Sequence, residues 1–366
     1  MNRKTFLAVV TAAMLAALAV GAFATDTPKE DVAGAVYTMT NAADNAVVIF
    51  DRDADGLLTE VGTVATEGSG SGDGLDPLVS QKSLVLSEDH QWLLAVNAGS
   101  DEISVFRVRD DGLELTDKVG SGGSFPVSLT VDHDLVYVLN SRDPANITGF
   151  YLTDGGRLMP IADSTRSLGS GGFPQVGFDP SGTNLVVTDR MDHEILVYPV
   201  GRGGRPAMDP VTSPASGLGP FSFIFDRRGH LLVAEAGSGA VSSYRILGDG
   251  ALQVISASVA NGQTATCWIA GNRQGDVFTA NTGSQDISAY QVVAKDGSLV
   301  LVDDTAGFAN RPIDMATTAN GRFLYALDPA DGAVHGFRID RHDGLIELGA
   351  APAAEIAIFA QGVAAR

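Results

Sequence analysis

From Val36 to the C-terminus, apolar and polar residues alternate in runs of about six to eight, broken by Gly, Asn, Asp and Pro. That period of two predicts half-buried β-strands, and helical periodicity is nearly absent. One unit reads Leu93-Leu94-Ala95-Val96-Asn97-Ala98-Gly99-Ser100-Asp101-Glu102-Ile103-Ser104-Val105-Phe106, and it returns as Val277-Phe278-Thr279-Ala280-Asn281-Thr282-Gly283-Ser284-Gln285-Asp286-Ile287-Ser288-Ala289-Tyr290. Looser copies surround Asn41, Asn140, Asp189, Glu235 and Asp328, which makes seven. A Gly follows the second strand of most units, at Gly56, Gly112, Gly156, Gly250, Gly297 and Gly344, usually after Asp as hairpin turns require. In the fourth unit the longer Gly201-Arg202-Gly203-Gly204 takes its place, and Pro77, Pro126, Pro174, Pro220 and Pro312 open five of the units. A repeat of about 46 residues with four short strands is a propeller blade. The pattern therefore predicts an all-β, seven-bladed β-propeller of four antiparallel strands per blade, lettered A to D from the axis outward. A parallel β-helix would need shorter repeats, and two β-sandwiches would not give seven similar units. The first unit begins at Val36 with a strand B, so the stretch Phe359–Ala365 is expected to supply its innermost strand and close the ring.

This strand order puts the D–A and B–C loops on one rim and the A–B and C–D turns on the other. The D–A loops are long and Gly-rich, as in Gly68–Asp76, Gly120–Phe125 and Leu168–Phe173, and the B–C turns carry Arg142, Asp143, Arg190, Asp192, His193, Glu235 and Asp328. A ligand site is expected on that rim, because varied loops around a channel mouth suit binding. The segment Asp51-Arg52-Asp53-Ala54-Asp55-Gly56 opens like a calcium loop, but its twelfth position is Gly62, and a C–D turn is the better reading. The six histidines, at 90, 133, 193, 230, 335 and 342, lack metal-ligand spacing along the chain, so no metal is expected. Of these, only His193 falls on the loop-rich rim, whereas His335 alternates within a strand and reads as a surface or sheet residue. Nothing in the sequence indicates a cofactor: G-x-S-x-G is absent, and with Trp92 and Trp268 alone there is no tryptophan-rich quinoprotein repeat.

Composition narrows the partners. Residues 1–24 combine Arg3 and Lys4, an apolar run from Phe6 to Phe23 and a small-x-small ending at Ala24, the pattern of a secretory signal. Residues 25–35 read as a linker and 36–366 as the propeller, in a periplasmic or secreted protein that keeps no membrane anchor after cleavage. Removing the leader takes the net charge from −20 to −22, which disfavours nucleic acid and anionic membrane surfaces. Cys267 is the only cysteine, so no intrachain disulfide forms, and Thr266 and Trp268 beside it suggest burial.

The Asn-x-Gly-Ser-Asp and Asp-Gly turns, with Gly262-Gln263-Thr264-Ala265-Thr266-Cys267-Trp268-Ile269-Ala270, resemble the seven-bladed lactonase family of 6-phosphogluconolactonases and carboxymuconate-lactonizing enzymes, from about Val36 onward. The resemblance implies a rim site with His, Arg and Glu residues. Glu235 matches the family's Glu in the fifth B–C turn and is the candidate catalytic residue. The family's His is missing from Gly171–Gln175, and Phe221 and Ala270 stand where the family has Arg. Arg142, Arg190, Asp192, His193, Arg311 and Asp314 are the candidates for a remodelled ligand site. Two readings stay open. One is a rim that binds a small lactone, an organic acid or an unidentified protein partner without catalysis. The other is a lactone hydrolase or lactonizing enzyme built around Glu235.

Overall fold

The computed structural model describes Val32–Arg366 apart from Asp143 and Asp343. The expected leader, 1–24, and most of the linker lie outside those residues. Seven sheets stand in a ring, all antiparallel, and no helix occurs among the described residues. Blade two illustrates the pattern: Leu84–Leu86 (A), Trp92–Asn97 (B), Glu102–Arg109 (C) and Gly112–Gly120 (D). Strand B is buried along its whole length because neighbouring blades cover both of its faces. Strand D is only partly buried, with Glu114 and Gly120 exposed, as an outer edge facing water must be. Blade three departs from the repeat, since its outer strand is split into Leu158–Pro160 and Arg166–Gly169, both paired with Ala145–Leu152.

The ring closes as the repeat predicts. Val363–Ala365 pairs with Gly34–Met39 (Val36 opposite Ala365, Tyr37 opposite Ala364, Thr38 opposite Val363), so the first blade takes its strand A from the C-terminus. The Thr38 hydroxyl donates to Gly362 O at 2.7 Å, and Arg366 N donates to Ala35 O at 2.9 Å. Val363 N also donates to an Asp314 carboxylate oxygen at 3.3 Å, tying the tail to blade seven.

The turn chemistry is as read. Asp53 Oδ1 accepts from the amides of Asp55 and Leu57, both at 2.9 Å, making the supposed calcium loop an Asx-type C–D turn. Gly56 has φ +94° and packs against Phe323, leaving no space for a side chain.

Candidate functional site

Each B–C turn is held by a polar residue at the end of strand B. Asn97 Oδ1 accepts from Asn45 and Thr66 while its amide donates to Ser104 Oγ at 2.8 Å. Asn281 repeats the arrangement with Thr266 and Ser288. Glu235 occupies the same place in blade five and is fully buried. Its carboxylate accepts from Gly217 N at 2.9 Å, Ser242 Oγ at 2.5 Å and Ser258 Oγ at 2.6 Å. With every contact inside its own blade and no face open to the rim, Glu235 is placed to brace the turn. Replacing Glu235 with Ala should cost about 2–4 kcal/mol, since one buried and two partly buried donors lose their acceptor. Thermal denaturation checks this, and an unchanged melting temperature would show that the carboxylate is free for other work.

The other candidates do not converge around Glu235. Arg142 is exposed and stacks on Phe125 at 3.9 Å from the ring centroid. His193 is exposed, with Nδ1 accepting from Gly219 N at 3.1 Å. Asp192 and Arg311 are exposed, and their backbone amides bind the turn carboxylates of Asp189 and Asp328. Asp314 is buried rather than exposed on the rim. It lies in the inner strand Ile313–Thr317 of blade seven, 1% exposed, with its oxygens on the amides of Met315 and Val363. Burial raises its pKa to about 7, partly offset by Lys82.

The residues that do converge lie nearer the axis. The segment Asp76–Ser83 crosses the channel, with left-handed backbone at Asp76, Val79 and Lys82. Gln81, in the lead-in to blade two, donates to Ile269 O at 2.8 Å and accepts from Ile269 N at 3.2 Å in blade six. Trp268 Nε1 donates to Ser80 O at 2.9 Å, and Gln361 donates to both Ser80 O and Asp76 Oδ1. Asp76 is partly buried, and desolvation lifts its carboxyl to about 8 against the pull of Gln361, nearby backbone amides and the Arg190 guanidinium. Arg190 in turn has no carboxylate partner within salt-bridge distance among the described residues, and its side chain lies over Gly172. Cys267 is half-buried rather than sealed, but desolvation first and Asp76 second push its thiol up, so it stays protonated. Asp76, Arg190 and Cys267 come from blades one to two, four and six, yet the Arg190 charge acts on both Asp76 and Cys267, and Asp76 on Cys267. Phe221, stacked edge-on against Trp268 at 5.4 Å, adds an apolar surface nearby.

Of this group, the sequence singles out Arg190 alone as a ligand-site candidate. Asp76 ends the long Gly68–Asp76 loop, which did mark the place, but no local pattern announces a carboxyl kept protonated by the far side of a ring. The opposite rim also has a recess on the axis, of about 300 Å³, reaching Lys82, Glu88, His90 and Arg273. The expectation that binding space would gather on the loop-rich rim did not include it.

Among the described residues, no helix is long and apolar enough to cross a membrane. A periplasmic gluconolactonase of Pseudomonas aeruginosa has the same architecture, with 18% identity, a TM-score of 0.71, and 91% of this chain and 98% of that one covered. A candidate 6-phosphogluconolactonase of Bacteroides uniformis gives 19% identity, a TM-score of 0.72 and coverage of 91% and 99%. At such identities the likeness is one of fold. An uncharacterised protein of Staphylococcus aureus (strain N315) is 32% identical over 90 residues, and the match spans about a quarter of it, 26%, and 24% of this chain. The model of the family "Lactonase, 7-bladed beta-propeller" matches residues 31–170 and 175–355, and this chain belongs to that family.

Proposed function

We propose that this chain is an exported lactonase-like propeller that takes a small lactone or organic acid on the rim of the D–A and B–C loops. The observation that carries the reading is Arg190, which has no carboxylate partner within salt-bridge distance among the described residues and whose charge reaches Asp76, a carboxyl that desolvation pushes up to about 8. A free cation beside an uncharged acid attracts an anionic or carbonyl oxygen without repelling it. Export rests on residues 1–24, and a periplasmic address agrees with the description of the Pseudomonas relative. A second reading, lactone opening, is favoured by Asp76 itself. A carboxyl with a pKa of about 8 is still protonated at neutral pH and can hand a proton to a leaving alkoxide.

Calorimetry and proton-release assays on the chain from Thr25, against sugar lactones and muconate-type diacids, separate the two readings. Binding should weaken at least ~10-fold in Arg190→Ala, the loss expected of a charge-assisted contact. If the ring is opened, Asp76→Asn should lower turnover by roughly 10²–10⁴-fold while leaving affinity near wild type. Wild-type turnover should then fall as pH rises through about 8, because the acid form of Asp76 is lost there. Binding without turnover leaves the first reading alone. A panel with no ligand, or affinity indifferent to Arg190, sinks both.

A further inference from the structure

We infer that the B–C hairpin of blade seven holds a divalent transition-metal ion on Asp328, Asp331 and His335. The repeat shows what has changed there. In blades two, five and six the residue ending strand B is hydrogen-bonded to a serine seven positions on: Asn97 to Ser104, Glu235 to Ser242, Asn281 to Ser288. In blade seven those positions are Asp328 and His335, and the residue three positions on, Ser in the other three blades, is Asp331. Strand pairing fixes the geometry. Ala326 faces His335 and Asp328 faces Ala333, so Asp328 and His335 are diagonal neighbours on one face of the sheet.

The ligand atoms of the three side chains all lie within 4.8 Å of one another. His335 Nε2 is 3.4 Å from Asp331 and 3.8 Å from Asp328 Oδ2. Two ligands bound at about 2.0–2.2 Å in a tetrahedral site sit roughly 3.3–3.6 Å apart, so His335 and Asp331 already fit, and a contraction of a few tenths of an ångström between His335 and Asp328 brings in the third ligand. His335 is 9% exposed, and neither ring nitrogen has a hydrogen-bond partner, although Nε2 is aimed at both carboxylates. Buried polar atoms left without a partner are rare in native interiors and point to something that satisfies them.

The carboxylates are positioned as metal ligands usually are, by outer hydrogen bonds. Asp328 is held by the amides of Ala330, Asp331 and Arg311, and Asp331 Oδ1 accepts from Asn310 Nδ2 at 2.9 Å. One imidazole with two carboxylates suits Zn²⁺ or Mn²⁺, whereas Ca²⁺ and Mg²⁺ prefer oxygen donors alone. With Asp331 on the surface, the remaining coordination positions face water.

The test is calorimetry on chelator-dialysed protein, with Zn²⁺, Mn²⁺ and Ca²⁺ titrated separately. We expect one Zn²⁺ per chain, bound more tightly than Ca²⁺, with a rise in melting temperature. His335→Ala and Asp331→Asn should each weaken Zn²⁺ by about tenfold or more. His133→Ala, whose side chain is 82% exposed elsewhere on the molecule, should bind as wild type does. His335 is buried and its variant can fail to fold, so the surface substitution Asp331→Asn decides the matter. No stoichiometric Zn²⁺, unchanged affinity in Asp331→Asn, or equal binding of Ca²⁺ overturns the assignment. His335 would then be a buried imidazole lying 3.4–3.8 Å from its two carboxylate neighbours with no ion between them.

Discussion

A chain ending at Ala360 should fail to close and should be recovered, if at all, with a melting temperature more than about 15 °C lower, because each kcal/mol lost is worth roughly 2–4 °C in a chain of this size or somewhat smaller. The six residues removed touch three blades. Val363–Ala365 is strand A of blade one, so its loss exposes an edge of Gly34–Met39 whose other edge is already paired. Gln361, 0% exposed, accepts from Leu78 N at 3.1 Å and donates to Asp76 and Ser80, so the channel-crossing segment loses its anchor. Arg366 O accepts from Arg52, and Asp314 loses the amide of Val363. The uncovered edge of Gly34–Met39 is an aggregation hazard as well as a loss of stability. Differential scanning fluorimetry with size-exclusion chromatography checks it. A truncated chain that stays monomeric and melts within a few degrees of the parent would mean that closure contributes little.

Closure was legible in the sequence because it rests on a count. Seven copies of one pattern, the first starting at its second strand, leave a vacancy that only the far end of the chain can fill. The site was legible only in part, and Glu235 shows why. A family position matched by type singles out the residue, but its burial among Ser242, Ser258 and Gly217 depends on neighbours 7 to 23 positions away on adjoining strands. Asp314 reads as a rim acid from its place after Pro312, yet its left-handed backbone, φ +53°, turns it onto the tail amide. Spacing along the chain is a poor guide to the histidines. His335 meets Asp328 across a hairpin, where sheet register brings ligands together and linear spacing does not. Long-range convergence across the axis, as at Gln81 and Ile269, has no one-dimensional signature.

The same convergence makes Gln81 the residue whose loss should cost most for its size. Its side-chain amide satisfies both backbone groups of Ile269, spanning from blade two to blade six across the axis. Gln175 does the same for Phe223 between adjacent blades, with both bonds at 2.8 Å. Inner strands need such partners, because a strand A facing the channel has no sheet neighbour on that side, and its N–H and C=O are too buried for water to serve. Gln81→Ala strands two backbone groups at once, at about 1–3 kcal/mol each, for a loss of roughly 2–6 kcal/mol. Gln81→Glu separates hydrogen bonding from packing, since it keeps the shape and the acceptor for Ile269 N but leaves Ile269 O facing an oxygen. Both variants should therefore unfold at clearly lower urea concentration than the parent, with the slope of the transition unchanged, as expected when the exposed surface is the same. If Gln81→Ala instead unfolds with the parent, the crossing amide is dispensable. The crossing segment would then be held by Trp268, the tail and its bonds to Val127, Leu129 and Pro174.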